Sequence, residues 1–321
     1  MPAITVDNPL VLPRIERPRE RSVDRPVLQT IAARYAVEGA GFQVWRPFPG
    51  GVDLHTTDPF LLLDQMGPTF NAPGEAKGAP WHPHRGFETV TYLLDGAMAH
   101  HDSNGGGGVI GEGDTQWMTA GAGILHDEVP SETSLRNGGV AHGVQLWVNL
   151  PAAKKFSPPR YQAITGDNLT LLTSEDGSAL IRLIAGDLGG HAGPGVTHTP
   201  ITYAHVTLPP GSRLQVPWNP AFNAMAYALL GQGYAGTEER PFREHDLVLF
   251  GPGDHLTVRA AERQDGDSPT VELLLLGGLP IGEPIAHYGP FVMNNKAEII
   301  QALEDYEAGR MGSIPAVTLG E

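Results

Sequence analysis

The stretch Phe87-Glu-Thr-Val-Thr-Tyr-Leu-Leu-Asp-Gly96 has a gap-free counterpart in Phe222-Asn-Ala-Met-Ala-Tyr-Ala-Leu-Leu-Gly231. Each reads as a strand closed by a glycine turn. Further on, Gly113-Asp114 and Gly121 correspond to His245-Asp246 and Gly253. Identities are few, but the order strand, glycine turn, strand, aspartate, strand, glycine is shared. It predicts two copies of one β-barrel unit. Composition agrees: 41 glycines and 29 prolines among 321 residues interrupt a chain too often for long helices and suit short strands joined by turns.

Working outward, Val144, Leu146, Val148 and Leu150 alternate with Gln145, Trp147 and Asn149, the pattern of a half-buried strand. Further strands are expected at 180–185, 205–208, 247–250 and 271–276. Residues 151–175, with Pro158-Pro159 and Gly166-Asp167-Asn168, are polar and turn-rich, and are expected to carry the chain between halves. Before the first unit, Arg14, Arg17, Arg19, Arg21 and Arg25 lie among Glu16, Glu20 and Asp24, which reads as a solvated, extended arm. The expected division is an arm at 1–28, a first unit at 29–151 and a second at 152–321. A helix ends the second unit: Asn295 and Glu298 have capping-box spacing, Ile299, Leu303 and Tyr306 recur at helical spacing, and Gly309 stops it.

The absence of cysteine excludes disulfides, thiolate metal sites and cysteine nucleophiles. A net charge of −15 repels phosphate backbones and disfavours direct nucleic-acid binding, while leaving room for a basic protein partner. The most apolar run, 271–281, is too short to span a bilayer and contains Glu272, and the first residues lack a secretory signal pattern. The expectation is a cytoplasmic enzyme or regulator with no membrane contact.

Thirteen histidines are present. His100-His101, ahead of the run Gly105 to Gly108, reads as a solvated pair in a mobile hairpin loop. Trp81-His82-Pro83-His84 reads differently. Two residues apart on a strand, His82 and His84 share a face at a spacing of roughly 6.6 Å along the chain. Pro83 removes an N–H and places this strand at an edge or at its beginning. In Gly121-Ala-Gly-Ile-Leu-His-Asp-Glu128, His126 and Glu128 also share a parity, and a strand, a hairpin and a return could bring the pairs to one centre. Three imidazoles and a carboxylate suit Fe(II), Mn(II), Co(II), Ni(II), Cu(II) or Zn(II), with positions left open. Glu88 shares the parity of His82 and His84, so spacing leaves the carboxylate as either Glu88 or Glu128.

The segments His82–Gly96 and Gly113–Glu128 together resemble the signature of the pirin family, a branch of the cupin superfamily. So do Asp58-Pro-Phe-Leu-Leu-Leu-Asp64, Gln145-Leu-Trp-Val-Asn-Leu-Pro151 and Glu283-Pro-Ile-Ala-His-Tyr-Gly-Pro-Phe-Val-Met-Asn294. The resemblance, over about residues 29–310, implies an all-β bicupin of two jelly-roll-like β-barrels with a short C-terminal helix. It further implies iron, as Fe(II), held by His82, His84, His126 and Glu128 in the first cupin, with Glu88 lining the pocket. The second cupin is expected to lack a metal: on the repeat alignment Pro217, Asn219, Val258 and Ala260 replace the ligands. Some pirin-like proteins are quercetin 2,3-dioxygenases, which implies a flavonol or other enol or phenol substrate, dioxygen as co-substrate, and Glu128 or Glu88 as proton acceptor. Others act as iron- or redox-dependent regulators, which implies a transcription factor or metabolic enzyme as partner, without turnover. Arg85, Gln116, Trp117 and Met118, next to the metal motifs, are candidates for either substrate contact or structure.

Overall fold

The structure, a computed structural model, describes residues 4–38, 41–265 and 269–314. It is built from two seven-stranded and two four-stranded antiparallel sheets, with minor two-stranded ribbons. The first large sheet runs, in spatial order, Arg160–Ile164, Thr115–Thr119, Phe87–Asp95, Gly139–Asn149, Phe60–Asn71, Phe42–Phe48, Arg34–Glu38. The second runs Val27–Ala32, Asp246–Phe250, Ala224–Leu230, Val271–Gly278, Ile201–Leu208, Leu180–Ala185, Thr170–Thr173. The quoted repeat occupies the third position in both. The four-stranded sheets correspond in the same way: Ala79–His84, Ile124–Pro130, Met98–Asp102, Gly107–Ile110 against Arg213–Pro217, His255–Ala260, Gln232–Ala235, Arg240–Arg243. One large and one small sheet face each other in each half, a jelly-roll-like pairing, so the fold is a bicupin.

Two edge strands cross between the halves. Val27–Ala32 pairs with Asp246–Phe250 in the second large sheet, and Arg160–Ile164 pairs with Thr115–Thr119 in the first. The turn-rich stretch 151–175 therefore holds a strand of the first sheet as well as a connection. The arm is not solvated throughout. Ile15 is buried, and the buried Arg25 guanidinium donates to the carbonyls of Gly253, Gly251 and Asn219.

The large sheets pack face to face. Val90, Tyr92, Trp117, Leu146 and Val148 of the first share one core with Tyr203, Met225, Tyr227, Leu274 and Leu276 of the second. The alternate residues of the second sheet, such as Ala226, Val248, Leu273 and Leu275, join Leu214, Val216, Leu256, Val258 and Ala260 inside the second barrel. With both faces covered, Leu273 to Leu276 are all buried and lose alternation. The first barrel differs inside. Its inward residues include Thr91, Gln116 and Gln145, so Gln145 and Trp147 of the strand read as half-buried face a cavity instead of bulk solvent.

The C-terminal helix is Lys296–Glu307, with Asn295 accepting from the Glu298 N–H and Gly309 at φ +71°. The segment before it returns to the first half. There Lys155 is buried, its Nζ donating to Gly86 O (2.9 Å), Asn149 Oδ1 (2.7 Å) and Val292 O (2.9 Å). Burial lowers its pKa to about 8, against upward pulls from Glu283 and Glu298. Between pH 8 and the ordinary value of 10.5 the unfolded chain holds this proton more often than the fold does, so stability from this group rises with pH across that window. Lys155→Met removes the Nζ donor from three buried oxygens, those of Gly86, Val292 and the Asn149 amide. It is expected to lower unfolding free energy at pH 7 by roughly 2–4 kcal/mol. In urea titrations its deficit against the parent should widen from pH 8 to pH 10.

Candidate metal centre

The strand Ala79–His84 is the edge of its sheet, where Pro83 needs no ladder partner for a missing N–H. Its neighbour Ile124–Pro130 runs antiparallel and sets His126 directly opposite His82, with His84 opposite Ile124. Three imidazoles therefore point into one barrel. Their ligand nitrogens lie within 4.8 Å of one another, and this is the set of such donors that converges among the described residues. The ring centroids of His82 and His126 are 4.2 Å apart, those of His84 and His126 4.9 Å.

Each ring has its Nδ1 engaged. His82 Nδ1 donates to Pro80 O (2.8 Å), and His84 Nδ1 donates to Pro290 O (3.2 Å). His126 Nδ1 meets His100 Nδ1 at 3.4 Å. A carbonyl can only accept, so His82 and His84 carry their protons on Nδ1. Their Nε2 lone pairs then face each other at 3.1 Å. Two unprotonated nitrogens at that distance repel unless a cation lies between them. Ligands at right angles about a metal with bonds of roughly 2.1 Å would be about 3.0 Å apart. His126 Nε2 is buried with no partner. Burial, then the neighbouring His82, drives the His84 pKa down to about 3, and burial with His84, His82 and His100 holds His126 well below its usual value. Neutral imidazoles with free Nε2 atoms are what a divalent ion needs, so the residues fit a metal.

Glu128 lies on the same strand, beyond a bulge that shifts the register between His126 and Glu128. It lines the cavity with His82 and His84, but outside the converging set. Its Oε1 accepts from Thr91 Oγ1 (2.9 Å) and Gln116 Nε2 (2.5 Å), and its Oε2 from Gln145 Nε2 (2.9 Å). Glu88 does not line this cavity. Its carboxylate accepts from Thr119 Oγ1 (2.6 Å) and from Thr197 Oγ1 (2.5 Å) of the other half, in the layer between the large sheets. The shared parity with His82 and His84 fails because Gly86 turns the chain from the small sheet into the large one. Its φ is +90°, and a Cβ there would lie 2.0 Å from Val292 O.

The cavity measures about 770 Å³. Phe42, Val44, Leu61, Leu62, Met66, Trp81 and Trp147 supply apolar walls, and residues 285–292 close one side. The family segment Glu283–Asn294 thus completes the first barrel's site. Of the neighbours noted in sequence, Gln116 braces Glu128, and Trp117 and Met118 are buried in packing. Arg85 bonds Ala122 O and pairs with Asp305 of the helix, whose carboxyl it holds down to about 2. His100 corrects the loop reading: it is fully buried against His126, while His101 is exposed and pairs with Asp127. Alternation within Ala99-His-His-Asp102 could have revealed this, since His100 and Asp102 share one face. In the second half, strand register places Leu214 and Val216 opposite Val258 and Leu256. Leu214 and Val216 thus stand where His82 and His84 do, in place of the expected Pro217 and Asn219. Val258 and Ala260 stand at the other two positions, and all four are apolar core. Among the described residues, no helix is long and apolar enough to cross a membrane.

Comparison with known proteins agrees with this architecture. The Pirin family model matches residues 41–148, and the model for the Pirin C-terminal cupin domain matches 203–312. A pirin-like protein of Solanum lycopersicum is 39 % identical over 90 % of this chain and 93 % of its own length. Pirin of Homo sapiens is 36 % identical over 90 % of this chain and 94 % of its own. A crystal structure of quercetin 2,3-dioxygenase from Acinetobacter baumannii superposes with a TM-score of 0.84 at 35 % identity, covering 91 % of this chain and 100 % of that one. With both halves matched and relatives aligned over nine-tenths of its length, the chain belongs to the pirin family.

Proposed function

We propose that this protein is a metal-dependent dioxygenase that cleaves flavonols such as quercetin with dioxygen, releasing carbon monoxide. In this reading His82, His84, His126 and Glu128 hold Fe(II). The observation that carries it is the convergence of three imidazoles, each with Nδ1 already engaged, two of which line a large apolar cavity. Likeness to a solved quercetin 2,3-dioxygenase supports the substrate class. When bound, the metal would supply a Lewis-acidic, redox-capable centre for a chelating enol and dioxygen.

The chain's own groups do the rest. Trp81, Trp147, Leu61 and Leu62 offer flat and aliphatic surfaces that match a planar aromatic ligand and keep water from it. Glu128 takes the proton of the substrate's enolic hydroxyl. Thr91, Gln116 and Gln145 hold that carboxylate in place, so no reorientation is needed when the substrate arrives. No residue need act as a covalent nucleophile.

Three outcomes test this reading. His126→Ala should retain less than about a tenth of the parent's metal by elemental analysis, in line with loss of a ligand. A variant that kept stoichiometric iron would remove His126 from the set. Iron-loaded parent protein should bleach quercetin absorbance with release of carbon monoxide, and Glu128→Ala should slow this at least roughly 100-fold. Inert iron-loaded protein would defeat the enzyme reading. Glu88→Gln, in the layer between sheets, should keep both metal and turnover, and metal loss there would mean that the wrong carboxylate was chosen.

A further inference from the structure

One buried group beside the centre is left without a role by the reading above. His100 is fully buried, its ring stacked on Tyr161 (centroids 4.8 Å apart, planes 22° apart). It does not line the cavity. Its Nδ1 is 3.4 Å from His126 Nδ1, and its Nε2, buried without a hydrogen-bond partner, faces the Asp102 carboxylate at 3.6 Å from Oδ2. Asp102 is itself buried and anchored: its Oδ1 accepts the backbone N–H groups of Asn104 (2.8 Å) and Gly106 (2.9 Å). That leaves Oδ2 for His100. The glycine run fits this seat, since a Cβ at Gly106 would lie 2.4 Å from Asp102 Oδ2.

Two imidazole nitrogens can share one hydrogen bond only if one carries a proton and the other does not. The carboxylate decides which. Facing Asp102, His100 keeps its proton on Nε2, so its Nδ1 is an acceptor. His126 must then donate from Nδ1, which frees its Nε2. We propose that Asp102 and His100 are positioning residues that set the tautomer and orientation of His126, fixing its Nε2 as a metal ligand. The proposal rests on the metal reading of the three histidines and adds a role that the ligand set alone does not contain. It gives His126 the kind of Nδ1 partner that His82 and His84 find in the carbonyls of Pro80 and Pro290.

Asp102→Asn tests the chain of protons with little change of shape. The two backbone N–H donors keep the amide oxygen, so the Asn NH2 group faces His100 Nε2 and turns it into an acceptor. His100 would then donate from Nδ1, and His126 would be left protonated on Nε2. Metal-free proteins would be titrated anaerobically with Fe(II) against a chromophoric chelator, with melting temperatures recorded alongside. Asp102→Asn and His100→Phe are each expected to raise the Kd for Fe(II) roughly 10–100-fold. His100→Gln, whose amide oxygen can accept from His126 Nδ1, should stay within about threefold of the parent. The metal-free melting temperatures of Asp102→Asn and His100→Gln should lie within about 4 °C of the parent. Parent-like affinity in Asp102→Asn, or equal losses in His100→Gln and His100→Phe, would overturn the tautomer role while leaving the metal site intact. Failure of the parent protein to bind Fe(II) would instead overturn the metal reading itself.

Discussion

Each seven-stranded sheet is covered on both faces, and this constraint organises the molecule. One face of each meets the other sheet across a shared core, and the other face closes a barrel. Every residue of a central strand is therefore committed either to the interface or to a barrel interior. In the second half the barrel interior is apolar. In the first the interior set turns polar, with Thr91, Gln116 and Gln145 in place of Ala, Val and Leu. The second copy thus supplies the hydrophobic burial, and the first is released from filling its own centre.

The interface is not purely apolar. Tyr92 bonds His205 Nδ1 (2.8 Å), and His205 Nε2 pairs with Glu272 (2.9 Å), all without solvent. Such a chain of satisfied polar groups has one good alignment, and sliding the sheets would leave buried donors and acceptors unpaired. The alignment matters for the centre, because the C-terminal segment must arrive with Pro290 O in reach of His84. Orientation of one ligand is thereby made a property of the whole chain.

Much of this was legible in the sequence, and the exceptions have physical causes. Strand periodicity places His82, His84 and His126 correctly because all three lie in one small sheet, where a period of two holds. It misplaces Glu88 because Gly86 carries the chain to another sheet and parity does not survive the turn. The doubled fold was visible in Phe87–Gly96 and Phe222–Gly231, but the residue matches before them slipped: the loop between small and large sheet is longer in the second half, so Leu214 and Val216 stand where Pro217 and Asn219 were expected. His100 was hidden by its glycine neighbours, which signal a mobile loop but serve a tight seat for Asp102. The strand Arg160–Ile164 was hidden because edge strands carry few apolar residues.

The exchange of edge strands bears on how the chain comes off the ribosome. Val27–Ala32 is made long before its partner Asp246–Phe250. It must wait, unpaired, through synthesis of the entire first half. The first sheet in turn lacks an edge until Arg160–Ile164 emerges. Neither copy can be finished in isolation, so a duplication that looks like two modules is assembled as one, late and over long loops.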